Sequence, residues 1–193
     1  MHILSKFSLS TIATTILILT GCQPYTQPQG PNVSQTPEAA KQFNLQGKIG
    51  VKTPGQSGSA FFTWLQQQDE FDIELSGILG VGKTRISGKP GAVSLNSAKT
   101  GLIQAETPEE LLERATGWQA PITHLVNWVQ AKPATTRAKI IKDDSNRPIQ
   151  FLEDDWTVEL SYNVQAKLPN KLILKQNLAS GQENRITIVI QNR

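Results

Sequence analysis

The chain has 193 residues, 38% of them hydrophobic, and a formal net charge of +3 from 19 Lys and Arg against 16 Asp and Glu. Its single cysteine, Cys22, rules out an internal disulfide and leaves no thiol for a cysteine-based metal site or thiol catalysis elsewhere in the chain. Lysines and arginines are scattered along the sequence rather than run together, which speaks against a nucleic-acid footprint.

The N-terminus carries a positive flank at Lys6 and an apolar run from Phe7 to Leu19. That run is short for a membrane span, which needs about 20 residues, and suits the apolar region of a signal peptide. It ends in Leu19-Thr20-Gly21-Cys22, which looks like a bacterial lipobox. Residues 1–21 are then a signal that is removed, and Cys22 becomes an acylated N-terminus. The alternative is an ordinary export signal followed by a chance cysteine. Residues 22–42 carry Pro24, Pro28, Pro31 and Pro37 among Gln, Thr, Ser and Asn. Such a composition cannot bury a core and reads as an extended tether.

From Phe43 to Arg193 the dominant period is two, as in half-buried strands. The runs are Phe43–Val51, Ala60–Trp64, Phe71–Leu75, Thr84–Ile86, Val93–Leu95, Leu102–Ile103, Ala138–Ile140, Ile149–Phe151, Trp156–Leu160, Leu172–Leu174 and Ile186–Ile190. These make about eleven segments, punctuated by Gly, Pro, Asn and Asp. The pattern breaks once. Thr107-Pro108-Glu109-Glu110 has the shape of a capping box, Leu111, Leu112 and Ala115 give an apolar side, and Gly117 ends a helix. Pro121 opens a second helix with Ile122, Leu125, Val126 and Val129 at i, i+3, i+4 and i+7. The expected fold is mainly β (α+β): an incomplete, strongly curved antiparallel barrel of about eleven strands, with an inserted helical lid over an apolar cavity.

Gly77 to Thr84 satisfies the phosphate-binding pattern G-x-x-x-x-G-K-[ST] letter for letter. That chemistry needs a helix starting at Lys83, whereas Gly88, Pro90 and Gly91 predict two strands about a turn. No nucleotide is expected. The segment reads instead as a hairpin tip displaying Ile78, Leu79 and Val81, an apolar cluster of the kind that contacts a membrane or a partner. The alternative is a loop folded back on its own core. Trp64, Trp118, Trp128 and Trp156 are many for this length. They are core in the plainer view, and in the sharper one they line a cavity for a flexible apolar ligand. His124 is expected to be structural, with its polar atoms satisfied or exposed. Asp143-Asp144 and Asp154-Asp155 fall at turns, where carboxylates are solvated, and Glu109 and Glu110 serve the helix N-terminus. No nucleophile elbow and no metal-ligand spacing is visible, so neither an enzyme nor a cofactor is expected.

Taken together, several pieces resemble the LolB family. They are Gly47-Lys48-Ile49-Gly50-Val51, Phe61-Phe62-Thr63-Trp64, the Leu79-Gly80 tip, Lys89-Pro90-Gly91-Ala92-Val93, the Thr107 to Leu112 helix, Leu125 to Trp128, Trp156-Thr157-Val158 and Leu168-Pro169. It is their order and spacing that carries the likeness, over the lipobox and essentially all of residues 43–193. The resemblance implies a receptor anchored through Cys22 to the outer membrane and facing the periplasm. It would take acylated lipoprotein cargo from a LolA-like carrier and insert it into the inner phospholipid leaflet without ATP. It further implies an acyl cavity, for which Phe62, Trp64, Leu125, Trp128 and Trp156 are the candidate lining, and a protruding loop whose working leucine matches Leu79, flanked by Ile78 and Val81. Gln23 is not the aspartate associated with inner-membrane retention. A monomer is expected. The rival reading is an envelope lipoprotein that binds a free lipid or glycolipid, or acts as a scaffold, without passing cargo on.

Overall fold

Alternating apolar residues need one dry face, and the chain provides it by curving a single sheet. The computed structural model describes residues 42–77, 82–117 and 119–193. Cys22, Ile78, Leu79, Val81 and Trp118 lie outside the described residues. The strands are β1 (Gln42–Lys52), β2 (Ser57–Gln67), β3 (Glu70–Ser76), β4 (Lys83–Lys89), β5 (Ala92–Ser97) and β6 (Gly101–Ala105), then β7 (Lys139–Lys142), β8 (Pro148–Glu153), β9 (Trp156–Ser161), β10 (Lys171–Asn177) and β11 (Glu183–Asn192). They form one eleven-stranded sheet in the order β6-β5-β4-β3-β2-β1-β11-β10-β9-β8-β7, with every neighbouring pair antiparallel. β6 and β7 are therefore its two edges, and the barrel is open between them. Each of the eleven predicted segments falls on one of these strands. The alternation read from the sequence holds cleanly in β2 and β9 to β11, whereas Ile140, Ile149 and Leu102 near the open edges are exposed and Ala138 precedes β7.

The chain segment that joins the two edges carries the helices. α1 (Pro108–Thr116) is capped as its sequence demands: Thr107 Oγ1 accepts from the Glu110 N–H at 3.1 Å, and Gly117, in the left-handed region at φ 77°, donates to the Glu113 carbonyl. The reciprocal bond differs from the expected one. The Glu110 carboxylate accepts from Glu106 N–H at 3.0 Å, one residue ahead of the cap. A single second helix is also not what forms. Residues Ile122–His124 make a 3-10 turn and Leu125–Trp128 one turn of α-helix, α2. The apolar spacing is kept, with Leu125, Trp128 and Val129 buried and Ile122 and Val126 partly so.

Turns follow their residues. Asp154 and Asp155 both take positive φ, 47° and 65°, in the two-residue link between β8 and β9. Asp143 is engaged rather than merely solvated, accepting from Ser145 N–H and from the backbone and guanidinium of Arg147. Lys83 and Thr84 open β4, paired with Ser76 and Leu75. A strand thus stands where a phosphate cradle requires a helix N-terminus. Among the described residues no helix is long and apolar enough to cross a membrane.

Candidate functional site

The strand register assembles the dry face from two apolar rows. One runs Leu45, Trp64, Ile73, Ile86, Leu95 and Ile103 across β1 to β6. The other runs Val51, Ile186, Leu174, Val158, Phe151 and Ile140 across β1 and then β11 to β7. Coverage fades toward the open edges. Leu45, Trp64, Ile186, Leu174, Val158 and Phe151 are buried. Ile73, Ile86, Leu95 and Ile103 are only half-covered, and Ile140 is 40% exposed. A concave sheet face with half-covered isoleucines and leucines is a surface that can still take apolar ligand atoms.

The well-covered part is filled by the helical connection. Phe62, Trp64, Leu125, Trp128 and Trp156 meet in one buried cluster, together with Val129 and the inner residues of β8 to β11. Phe43 packs edge-on against Trp64 with ring centres 5.0 Å apart. Buried indole N–H groups need acceptors, and both of the bonded ones find a polar residue on the inward register of a strand. Trp64 Nε1 donates to Gln66 Oε1 at 3.0 Å, and Trp128 Nε1 donates to Glu153 Oε2 at 2.8 Å.

Glu153 is the hub of the seat for α2. It is 5% exposed and accepts from Trp128, from Ala134 N–H at 3.1 Å and from Thr135 N–H. Burial by itself pushes this carboxyl up, but the bonds from Trp128, Thr135 and Ala134 outweigh it and hold the group below the usual glutamate range. From the far side, the Arg193 guanidinium donates to the carbonyls of Val129 and Pro169 at 2.8 and 2.6 Å, and its burial draws its pKa down. Glu109 ties α1 to the 3-10 turn, its Oε1 accepting from both the N–H and the hydroxyl of Thr123 at 2.8 Å. It therefore does more than serve its helix N-terminus. His124 packs edge-on against Trp128, and its Nδ1 is buried without a hydrogen bond, 3.7 Å from Asp154 Oδ2. The expectation of a satisfied or exposed histidine is corrected on that atom.

Glu153 and Arg193 escaped the sequence reading. Glu153 left one signal: it falls on the inward parity of β8 with Phe151, where a carboxylate must have partners. Glu153→Gln is expected to cost about 2 kcal/mol at neutral pH, since an amide cannot accept three donors and adds its own N–H. A carboxyl with a depressed folded pKa stabilises above its unfolded pKa and loses that contribution as pH falls through the folded value. Urea unfolding of parent and variant should therefore differ most at neutral pH and converge on acidification.

A cavity of about 720 Å³ lies elsewhere, lined by Gln42, Gln67, Gln68, Asp69, Glu70, Lys89 and Pro90. Its amides and charges do not suit a hydrocarbon chain.

The sequence model of the family described as "Outer membrane lipoprotein LolB" matches residues 41–192. Among curated proteins, the outer-membrane lipoprotein LolB of Stutzerimonas stutzeri is 38% identical, aligned over 91% of this chain and 90% of its own. That of Pseudomonas paraeruginosa is 35% identical over 97% and 96%. The Pseudomonas fluorescens protein of the same name is 41% identical over 77% and 72%.

Proposed function

Because this chain belongs to the LolB family of outer-membrane lipoproteins, we propose that it receives acylated lipoproteins from a LolA-like periplasmic carrier on its concave face and passes them into the inner leaflet of the outer membrane. The observation that carries this reading is the half-covered apolar row Ile73, Ile86, Leu95 and Ile103 beside the filled cluster. An acyl chain laid along that row replaces water on both partners. Each exposed CH₂ costs about 0.8 kcal/mol, so a chain of about sixteen carbons forfeits on the order of 12 kcal/mol if it crosses water bare. Transfer therefore requires continuous apolar contact from carrier to receptor to bilayer. It needs no ATP when affinity rises at each step.

In this reading Phe62, Trp64, Leu125, Trp128 and Trp156 form the closed wall of the acyl site, and the β3 to β6 face forms its accessible side. Cys22 carries the anchor; two or more acyl chains hold a protein on a bilayer stably where one does not. Residues 22–42 give the tether, Leu79 with Ile78 and Val81 gives the membrane-entering tip, and the protein acts as a monomer. Phospholipid is the final acceptor.

The direct test mixes carrier loaded with a labelled lipoprotein, the acylated protein in phospholipid vesicles, and no nucleotide. Movement of the label into the vesicles, dependent on this protein, is the expected result. Label that stays on the carrier while the protein binds only free lipid would replace this reading with a lipid-binding envelope protein.

A further inference from the structure

Cross-strand register reveals an arrangement on the convex face that acyl transfer on the concave face does not use. Outward positions of β4, β2, β1 and β10 bring Lys83, Phe61, Lys48 and Lys171 into one row, with Ser76 and Val189 at the intervening positions on β3 and β11. Toward the β1–β2 turn, Lys52 stands directly opposite Arg185, and Arg185 opposite Lys175. The first row runs from Lys83 at the β3–β4 end through Phe61 and Lys48 inside their strands to Lys171, the first residue of β10, while Lys52, Arg185 and Lys175 lie toward the β1–β2 and β10–β11 connections. Lys83 and Lys175 have carboxylate partners, Glu74 at 3.5 Å and Glu159 at 2.6 Å. Among the described residues, Lys48, Lys52, Lys171 and Arg185 have none within 4.0 Å.

Two features set this strip apart from an ordinary solvated exterior. Like charges directly opposite each other on paired strands lower sheet stability, and Lys52 and Arg185 sit so without a shared counter-ion. Between the cations stands Phe61, 53% exposed, with Lys48 Nζ 4.7 Å from its ring centre. A ring that keeps one face wet beside long basic side chains matches the headgroup layer of a bilayer. There an aromatic sits among glycerol and carbonyl groups while lysines and arginines reach phosphates.

We infer that this convex-face strip is a second, electrostatic membrane contact, binding anionic phospholipid headgroups through Lys48, Lys52, Lys171 and Arg185 about Phe61. The inference rests on the transfer reading for its location at a membrane. It adds a lipid class and a docking orientation, with the convex face of β2, β1, β11 and β10 held against the bilayer. Phosphatidylglycerol and other net-negative lipids are the occupant, because zwitterionic headgroups leave the four cations without a compensating charge.

The test uses the whole acylated lipoprotein. Thr63→Cys places a thiol on the exposed outward register two residues from Phe61, and with Cys22 acylated it is the free thiol to label with an environment-sensitive dye. The protein is reconstituted into phosphatidylcholine vesicles with or without phosphatidylglycerol, and quenching by headgroup spin-labelled lipid is read. Quenching is expected on the anionic vesicles alone, and it should vanish at about 0.5 M salt, where the Debye length is roughly 4 Å. Each Lys or Arg near an anionic surface contributes about fivefold, so Lys52→Ser with Arg185→Ser should weaken the contact by about 25-fold. The same pair should leave Tm unchanged or higher, since it relieves a repulsion; a purely structural role for these residues would lower it. Equal quenching on both vesicle types, or none on either, overturns the inference. Should the salt-sensitive contact appear while labelled lipoprotein never leaves its carrier, the surface stands and the transfer reading falls.

Discussion

Leu79→Glu is expected to abolish delivery of lipoproteins to the membrane while leaving their uptake from the carrier close to normal. β3 and β4 pair up to Ser76 opposite Lys83, and Leu79 falls in the sequence between those two strands. A leucine side chain buried in hydrocarbon gains about 1.5–3 kcal/mol. A carboxylate in its place costs about 2.5–3.5 kcal/mol or more at depth. The swing is on the order of 5 kcal/mol, a rate or equilibrium change of roughly 10³ to 10⁴. Ile78→Ser and Val81→Ser remove apolar area without adding charge, and each is expected to slow delivery by a smaller factor, about tenfold. The measurement is paired: transfer of labelled lipoprotein from carrier to receptor, then from receptor to vesicles, with fractionation of cells that carry only the variant. Normal outer-membrane delivery by Leu79→Glu would remove the tip from the proposal and leave the concave face standing alone.

What could be read in advance, and what could not, divides along the distance between partners. Strands were legible because each writes its own wet and dry parity: Leu45, Trp64 and Ile186 announce their face within two residues on either side. α1 was legible for the same reason, since Thr107 and Gly117 cap it from within a few residues. α2 was less so. One α-turn is too short to hold itself, and its seat depends on Glu153 in β8 and Arg193 after β11, 25 and 64 residues from their partners Trp128 and Val129. The break into a 3-10 turn at Ile122–His124 follows from docking, which the apolar spacing does not encode. The basic residues are the clearest case. Lys48, Lys83, Lys171 and Arg185 look scattered along the chain, yet the register lays them within two rows of one face. Cα neighbours across strands are invisible to a pattern search until the pairing is known.

Gly47→Ala is expected to cost the folded domain about 3–5 kcal/mol. The reason is position in the sheet rather than turn geometry. A Cβ at Gly47 would stand 1.9 Å from the Val189 carbonyl oxygen and about 3.0 Å from its carbon, all backbone that no rotamer change can move. The pairing of β1 with β11 already shifts register between Gln46 and Gly47, which brings the two chains close at that point. β1 is also the sole link within the sheet between the β2–β6 and β7–β11 halves, so parting it from β11 separates Val51 from Ile186 and divides the second apolar row. Gly50→Ala supplies the control three residues on: its nearest contact would be 3.9 Å away, at Gly58 O, and the change should stay within about 0.5 kcal/mol. For a domain of this size each kcal/mol moves Tm by about 2–4 °C, so Gly47→Ala should melt roughly 6–20 °C below the parent and Gly50→Ala beside it. A Gly47→Ala protein with parental Tm would mean that β1 and β11 separate at this point without loss, and the close approach of the two strands would not be needed to hold the halves of the sheet together.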